Sequence, residues 1–402
     1  MTATPHDSAG SDGTATPRTE LVGRPDPLTE LSAQGVSVWL DGLSRELLAG
    51  GRLQALIRDR RVVGVTTNQT IFAAALADGD WYGAELQQLA ADRAGLDAAV
   101  LALTATDVRD ACDLLREVYD STDALDGQVS IQADPRLAGD SAATLSQARE
   151  LWAAVNRPNL LVTIAATEQG LQAITAAVAA GISVNASLIC SLQRYRDVQD
   201  AYLTGLEQAL TAGRDLDRIH AVASLLIAHV DTEVDAQLTA LDNPGALVLK
   251  GKAAIANAQL AYELHEQVIT SDRWQHLAAV GGRPQRPLWA ATDVQDPAYP
   301  DTMYVSRLVA AGSVHCMTGR TLQAFADHGA VPHTPIRVSY DSARAQLAGV
   351  AAAGIDLNHI GGLLQHQALD HAQASWHQLG ATVTRALDTH SPHARDTNRR
   401  TR

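Results

Sequence analysis

Two titratable side chains lie where apolar runs of the chain end, at positions from which they could transfer protons. Asp41 ends an early apolar run and precedes a helical segment, so its carboxylate could act as an acid or base or cap that helix. Asn68, before a short helical segment, could take part in the site through its amide or cap that segment. The imidazole of His229, with an ordinary pKa of about 6.5, could be a general acid or base, or it could simply pack.

Polar side chains also end the other apolar runs, and they could hold a small molecule by hydrogen bonds. They are Thr67, Gln132, Thr163, Asn185, Ser187, Ser224 and Asp231. Thr163 is expected to line a pocket rather than act as a nucleophile, because no histidine lies at an activating spacing. The spacing of His229, His315 and Cys316 gives no support for a metal site. We therefore predict no metal and no cofactor.

Short apolar runs alternate with longer segments of helical period, and this alternation must position the polar ends. The predicted strands are Val36–Asp41, Val62–Thr67, Val129–Ala133, Asn159–Ala165, Ile182–Ile189, Ala221–Val230, Pro287–Thr292 and Val314–Met317. The clearest predicted helices are Leu43–Arg58, Ser141–Val155, Glu168–Ala179, Leu192–Ala212 and Ala253–Ile269. Eight such units predict an α/β fold, a closed (β/α)8 barrel of TIM type with the site at the carboxyl ends of its strands. A doubly wound open sheet is the alternative, but its glycine-rich phosphate turn is missing.

Composition and charge narrow the function classes. The 402 residues include 46% hydrophobic and 19% charged residues, which suits one large globular barrel. We expect a disordered leader over 1–26, the barrel over 27–387 and a polar tail over 388–402. The net charge of -14 argues against a nucleic-acid partner. The sequence shows no membrane-spanning run and no signal peptide, so a cytoplasmic protein is predicted. Three scattered cysteines argue against disulfides.

Several motifs resemble those of bacterial transaldolases, in order and over roughly residues 30 to 385. The segment 64–72 (Gly-Val-Thr-Thr-Asn-Gln-Thr-Ile-Phe) is similar to their second-strand motif GVTSNPTIF. Further similar segments are 36–47, 107–115, 129–138, 184–195, 230–235, 251–258 and 283–290. The resemblance implies a (β/α)8 barrel that transfers a three-carbon dihydroxyacetone unit between sugar phosphates. It also implies a fourth-strand lysine that forms a Schiff base with the donor ketone, with an Asp and a Glu handling protons.

Aligned on these motifs, the chain departs from the family pattern at several site positions. The fourth-strand pattern I-K-I-P-A-T corresponds to 162–167, which makes Thr163 the counterpart of the lysine. The third-strand acid becomes Gln132, a fifth-strand threonine becomes Ser187 and a sixth-strand arginine becomes His229. Positions that keep the family residue are Asp41, Asn68, Asn185 and Ser224. Only two of the 31 basic residues are lysines, Lys250 and Lys252, and Lys252 belongs to a run that the family shares.

These departures predict a protein that has lost dihydroxyacetone transfer and become an enzyme that works without a lysine. The expected step is an acid–base cyclisation, isomerisation or lyase reaction, in specialised metabolism. Catalytic roles are predicted for Asp41, Gln132, Thr163 and His229, and substrate binding for Asn68, Asn185, Ser187 and Ser224. One alternative is an inactive binding or regulatory protein, and the last is an ordinary transaldolase with a relocated lysine. The expected partner is a small molecule in the barrel mouth. Assembly as a homodimer is left open.

Overall fold

Eight parallel strands follow one another around a closed barrel, in the order in which they occur in the chain. The structure is a computed structural model, and it describes residues 26–78, 80–332 and 336–390. The strands are β1 (Ser37–Asp41), β2 (Val62–Thr66), β3 (Gln128–Gln132), β4 (Leu160–Ala165), β5 (Val184–Ile189), β6 (Ala221–Leu226), β7 (Arg286–Ala290) and β8 (Val314–Met317). The predicted (β/α)8 barrel is confirmed, because β1 pairs with both β2 and β8 and so closes the sheet.

Helices surround the barrel and connect successive strands. They are α1 (Pro27–Ala33), α2 (Arg45–Ala49), α3 (Arg52–Arg60), α4 (Gln69–Asp78), α5 (Gly83–Ala91), α6 (Leu96–Leu114), α7 (Arg116–Ser121), α8 (Ser141–Val155), α9 (Glu168–Ala179), α10 (Leu192–Thr211), α11 (Ile227–Ala240), α12 (Pro244–Leu247), α13 (Ala253–Ile269), α14 (Asp272–Ala278), α15 (Met303–Arg307), α16 (Gly319–His328), α17 (Tyr340–Ala352) and α18 (Leu357–His390). This order of elements places a helix on the outer face between most strand pairs, as the barrel fold requires.

Two predicted elements have other bounds than the apolar pattern indicated. The predicted helix Leu43–Arg58 is two helices, α2 and α3, because the chain breaks at Gly50 and Gly51, and Gly51 has a φ of 67°. Such a left-handed backbone favours glycine. The predicted strand Ala221–Val230 stops at Leu226, and the rest of that apolar run is the first turn of α11. A continuous apolar run does not by itself mark where a buried strand gives way to a buried helix.

The barrel interior is filled by side chains from alternate strand positions. Its middle layer contains Trp39, Leu161, Val222 and Leu288, all fully buried. Gly64 on β2 lies against the Trp39 ring, and a Cβ atom at that glycine would be 2.4 Å from an indole carbon. Glycine is therefore required at position 64, because the indole occupies the space that any other side chain would need.

The last helix, α18, crosses the carboxyl ends of several strands. Its Gln365 donates to the backbone oxygens of Ala166 (2.8 Å) and Leu188 (3.0 Å), just beyond β4 and within β5. Gln373 donates to the Pro135 oxygen after β3, and Ser375 accepts a hydrogen bond from Thr70 of α4. The helix therefore covers the part of the barrel mouth formed by β3, β4 and β5.

The predicted chain ends fall mostly outside the described residues. Of the predicted leader 1–26, only Asp26 is described, and its carboxylate caps α1. Helix α18 runs to His390, which lies three residues into the predicted tail, and residues 391–402 lie outside the described part.

Within the described ranges, no single helix combines the length and the apolar composition that crossing a membrane requires. The bent pair 336–352 and 357–390, with 88° between its members, passes that test by length and composition.

Candidate active site

Asp41, at the last position of β1, is held in the barrel mouth by two neighbours on the β2 side. The Thr66 hydroxyl donates to one carboxylate oxygen at 2.7 Å, and the Asn68 amide approaches the other at 3.4 Å. The cap interpretation of Asp41 is wrong, because the side chain that caps α2 is Ser44, which accepts from the Leu47 amide. Asp41 therefore presents a carboxylate to the mouth instead of to a helix end.

The surroundings of Asp41 favour its protonated form. Burial raises the pKa of this carboxyl above its usual value, the hydrogen bonds from Thr66 and Asn68 oppose that rise, and the negative charge of Asp293 adds to it. A carboxyl with a raised pKa is a stronger base than an ordinary aspartate, so it can more readily accept a proton from a substrate hydroxyl and return it. The arrangement therefore fits proton transfer better than a fixed charge.

Across the barrel from β1, four strands contribute one connected hydrogen-bond chain. Ser224 donates to the Asn185 carbonyl oxygen at 2.7 Å, and the Asn185 amide donates to the Ser130 hydroxyl at 3.0 Å. Thr163 donates to the same Ser130 oxygen at 3.1 Å. The structure therefore brings together the predicted residues Thr163, Asn185 and Ser224, with Ser130 at the centre.

Gln132 and Ser187 lie one step higher toward the mouth. The Gln132 backbone amide donates to the Thr67 hydroxyl at 3.1 Å, while its side-chain amide makes no hydrogen bond with any described residue. The Ser187 hydroxyl lies 3.4 Å from the Ile164 backbone oxygen. Both residues line a cavity of about 20 Å³ that also touches Thr163 and is closed by Leu369 and Ala372 of α18. That volume is room for about one water molecule.

His229 is not at a strand end, contrary to the prediction. It lies in the first turn of α11, with an exposed side chain, because β6 stops three residues earlier. Partial desolvation by neighbouring atoms and the nearby His371 of α18 lower its pKa below the usual value. The imidazole is therefore largely neutral at pH 7, and no contact within the described chain joins it to Asp41.

His315 and Cys316 point to opposite sides of β8, as neighbours on a strand must. The fully buried His315 ring contacts the Leu308 backbone oxygen outside the barrel, at 3.1 Å. The Cys316 thiol lies inside, 3.4 Å from the Thr66 hydroxyl. These two side chains therefore do not converge. Across residues 26–78, 80–332 and 336–390, no group of three or more His, Cys, Asp or Glu could hold a metal.

Four functional candidates were not predicted from the sequence: Thr66, Ser130, Asp293 and Cys316. The first two follow the alternation of side chains along a strand, since Ser130 precedes Gln132 by two residues and so shares its inward face. Asp293, after β7, accepts hydrogen bonds from Thr318 (2.7 Å) and Thr321 at the start of α16. Its closeness to Asp41 depends on how the loop after β7 folds, which a periodicity cannot indicate.

Neither lysine belongs to the two hydrogen-bonded groups at the mouth. Lys250 is half-buried and lines a cavity of about 380 Å³ together with Asp231, Asp235 and Tyr299. Lys252 is exposed at the position before α13. Asp231, predicted as a strand-end residue, is buried in α11 and accepts hydrogen bonds from the Ala254 amide and the Tyr304 hydroxyl. The bond to Ala254 holds the start of α13 in place, so we assign Asp231 a structural role.

Comparison with known proteins relates this geometry to a family. A protein-family model described as "Transaldolase/Fructose-6-phosphate aldolase" matches residues 38–383. A curated "Transaldolase" of Thermobifida fusca is 51% identical over 365 residues, 91% of this chain and 99% of that protein. The "Transaldolase" of Mycolicibacterium smegmatis is 51% identical over 361 residues, 90% and 97% of the two chains. "Transaldolase 1" of Streptomyces coelicolor is 49% identical over 371 residues, 92% and 97%.

These relatives contradict the predicted loss of dihydroxyacetone transfer. Curated proteins that are about half identical over most of the chain are named transaldolase, which points to an active transaldolase rather than to a repurposed or inactive protein. The prediction gave the motif departures more weight than the similarity of the whole chain. That Thr163 stands at the family's lysine position stays a prediction. The barrel, its closed strand order and these matches agree, and the chain belongs to the transaldolase/fructose-6-phosphate aldolase family.

Proposed function

We propose that this protein is a transaldolase, which cleaves a carbon–carbon bond of a ketose phosphate and transfers the three-carbon unit to an aldose phosphate. The observation that carries the proposal is the half-buried Asp41 carboxyl, held by Thr66 and Asn68 at the carboxyl end of β1. Active sites of (β/α)8 enzymes lie at this end of the barrel. The names of the relatives support the same reaction class.

In this proposal Asp41 moves the protons of the aldol reaction. Cleavage requires removal of a hydroxyl proton from the ketose, and addition to the acceptor requires its return, so one group must do both. A carboxyl with a raised pKa suits such a cycle. Thr66 and Asn68 fix the orientation of the carboxylate, so that its free lone pairs face the substrate.

The hydrogen-bond chain from Ser224 to Thr163 is the proposed binding surface for the substrate oxygens. Its hydroxyl and amide groups bond to one another in the described structure. A ketose presents several hydroxyls and a carbonyl, which can replace those internal bonds one for one. Helix α18 covers this side of the mouth and leaves a cavity of only about 20 Å³ there, so a ketose phosphate reaches these groups when α18 moves away from the strand ends.

Imine chemistry needs a primary amine, and the two lysines are the side chains that can supply one. Lys250 is half-buried beside a cavity that shares no lining residue with the Asp41 site, so an imine on Lys250 requires a movement that brings the two together, whereas Lys252 is exposed. We propose Lys250 as the amine to be tested first, with Lys250→Arg and Lys252→Arg as matched variants. Arginine keeps the positive charge and cannot form an imine under these conditions.

The proposal is tested by supplying fructose 6-phosphate as donor and an aldose phosphate as acceptor. Formation of the new ketose phosphate is followed by mass spectrometry. Multiple turnovers that depend on both substrates would support a transaldolase. Sustained absence of product, from protein whose circular dichroism shows intact folding, would contradict it.

Reduction with borohydride in the presence of fructose 6-phosphate identifies the amine. Peptide mapping should find the reduced adduct on Lys250 in the wild-type protein, and the Lys250→Arg variant should lose both adduct and turnover. An adduct on Lys252, or turnover that survives in Lys250→Arg, would contradict the assignment of Lys250. The turnover measurement above tests the reaction class separately.

Roles for Gln132, Ser187 and the exposed His229 in substrate contact remain part of this proposal, as do a cytoplasmic location and assembly as a homodimer.

A further inference from the structure

A cavity of about 540 Å³ lies beside the turn that joins α17 to α18. Its wall is formed by the start of α10, by α13, by α17 and by the turn itself. Sites for small molecules have volumes of roughly 300–1,000 Å³. The cavity shares no lining residue with the Asp41 site or with the hydrogen-bond chain from Ser224 to Thr163. It is therefore a separate space that is large enough for one small molecule.

The side-chain amide of Asn257, in the second turn of α13, points to a ligand in this cavity. Asn257 is 8% exposed and belongs to the cavity wall. Its amide makes no hydrogen bond within the described residues, yet neither of its polar atoms is sealed from solvent. Buried amides in proteins are almost always hydrogen-bonded. Asn257 therefore offers a donor and an acceptor that an occupant of the cavity can satisfy.

Two long helices begin at this cavity. Ser191, the N-cap of α10, and Leu192, its first residue, both belong to the wall, and so does Leu357, the first residue of α18. The first N–H groups of a helix have no acceptor within the helix. The helix dipole adds a positive potential at the same end. Both helix starts therefore favour a negatively charged group in the cavity.

The charged side chains of the wall leave one cation free. Arg196 of α10 is exposed and has no ion pair within the described part of the chain. The wall also contains the carboxylate of Asp356, whose Oδ1 accepts from the backbone amides of Asn358 (2.9 Å) and His359 (3.2 Å). These two amides offset part of its negative charge. The Arg196 guanidinium can therefore bind an anionic group of a ligand, in the paired geometry that arginine favours.

The rest of the wall includes apolar side chains. Ile355, in the turn, is 4% exposed, and Leu192 and Leu347 are half-buried. A bare phosphate or sulfate would leave these side chains in contact with water. An organic body would cover them, which is favourable in proportion to the apolar area removed from water. The wall therefore favours a molecule that carries an anionic group on an apolar body.

We propose that this cavity is a second ligand site, which binds a small organic anion. Its negative group contacts Arg196 and the first turn of α10, a polar atom bonds to the Asn257 amide, and its body covers Leu347 and Ile355. Because the wall includes the start of α18, the bound molecule connects that helix to α10 and α13. The site does not depend on the proposed transaldolase reaction.

The test compares two dyes that differ in charge alone. The dye 8-anilinonaphthalene-1-sulfonate carries a sulfonate on an apolar body, and N-phenyl-1-naphthylamine is the same molecule without the sulfonate. Both fluoresce more strongly in apolar surroundings. Titration of the full-length protein with the sulfonated dye should show saturable binding that fructose 6-phosphate does not displace. Displacement by fructose 6-phosphate would place the dye in the barrel mouth and would overturn the proposal.

Variants of the two polar residues test the predicted contacts. Arg196→Met should weaken binding of the sulfonated dye at least fivefold and change binding of the neutral dye less than twofold. Asn257→Leu keeps the size of the side chain but removes the amide, and should weaken binding of the sulfonated dye about fivefold. The control is Arg149→Met, since Arg149 is exposed on α8 and outside this wall. Unchanged affinity in Arg196→Met or Asn257→Leu, or an equal loss in Arg149→Met, would overturn the assignment.

A third variant fills the cavity. Ala351→Trp, on the wall contributed by α17, should weaken binding of the sulfonated dye at least tenfold. Ala352→Trp is the matched control, because Ala352 is exposed at the next position but outside the wall, and it should change affinity less than twofold. Equal effects of the two would contradict this location. Thermal melting checks that each variant is folded, and Asn257→Leu serves if a tryptophan variant is not.

Hydrogen exchange locates the dye without any substitution. Saturation of the wild-type protein with the sulfonated dye should slow exchange of the backbone amides at 357–361, the start of α18. Unchanged exchange there under saturation would overturn the proposal.

Discussion

The two ends of this barrel both bury polar side chains, but they use them differently. At the amino-terminal end, Arg286 is 6% exposed and donates to the oxygens of Gly312, Leu125, Asp126, Ser37 and Ser313. These five acceptors match its five N–H groups. At the carboxyl end, hydroxyls and amides bond to each other around Asp41 and Asn185, and the side-chain amide of Gln132 has no partner among the described residues.

This difference distinguishes buried polar side chains that stabilise the fold from those that can bind substrate. A fully matched guanidinium gains nothing from a ligand, and its removal leaves several acceptors without a donor. Weakly matched hydroxyls and amides can exchange one internal bond for a bond to substrate at little net cost. The comparison therefore predicts that substitutions at the amino-terminal end reduce stability, and that those at the carboxyl end reduce activity.

The largest expected effect on stability is at Arg286. Arg286→Met should lower the free energy of unfolding by about 3–5 kcal/mol, because it removes the cation paired with the half-buried Asp126 and leaves four further oxygens without their donor. Transfer activity per folded molecule should remain. Denaturant titration checks the stability. The control is Arg283→Met, since Arg283 pairs with an exposed Asp123 and its removal should cost less than about 1 kcal/mol. A similar loss of stability in both variants would contradict the structural role of Arg286.

The largest expected effect on activity is at the other end. Asp41→Asn should lower kcat at least about 100-fold, because an amide cannot move the proton. Its melting temperature should not fall, since the carboxylate is ionised against its environment. The exposed acid Asp120 of α7 pairs with Arg116 away from the strand ends, and Asp120→Asn should change kcat less than about twofold. Steady-state kinetics with fructose 6-phosphate distinguish the two. Equal effects would remove Asp41 from the proposed mechanism.

The pH dependence of stability tests the raised pKa of Asp41. Burial raises the pKa of Asp41 above 3.8 in the folded state, so the folded protein holds this proton more tightly than the unfolded chain does. The free energy of unfolding should therefore fall as the pH rises from about 3.8 through the raised pKa. Asp41→Asn should remove that part of the slope. Denaturant titrations between pH 4 and 8 measure it, and parallel curves for the two proteins would contradict the raised pKa.

The smallest expected effect is at Ser224. Ser224→Ala leaves the Asn185 carbonyl oxygen without its donor and should lower the free energy of unfolding by about 1–2 kcal/mol. It should also raise KM for fructose 6-phosphate severalfold, because Asn185 loses its fixed orientation. Ser224→Thr, which keeps the hydroxyl, should restore part of both. A change in stability without any change in KM would place Ser224 with the structural group instead.

The barrel was predictable because its signals are local and repeated. Apolar runs alternate with segments of helical period, and β8, α8, α9 and α13 have the predicted bounds. The end of β6 was not predictable, because the apolar run continues without a break into α11. For this reason His229 was placed at a strand end, although it lies on the helix. Its position on the helix depends on packing of the whole chain, which a local pattern does not contain.

The site was predictable in part, from strand ends and from resemblance. Thr163, Asn185 and Ser224 converge because parallel strands end at one face. The roles of Ser130 and Asp293 depend on contacts between distant segments, and these are set by tertiary packing. The predicted loss of transaldolase activity was wrong because it depended on a few positions, such as Thr163 and Gln132. Similarity over nine-tenths of the chain points instead to the family reaction.

The most direct test of the central claim follows label transfer at the carboxyl end of the barrel. Fructose 6-phosphate carrying carbon-13 at its first carbon is incubated with a tetrose phosphate and the wild-type protein, and the carbon-13 NMR spectrum is recorded with time. The label should appear in a heptulose phosphate, and this signal should be lost in Asp41→Asn but kept in folded Arg286→Met. A spectrum in which the label stays in fructose 6-phosphate with the wild-type protein would contradict it.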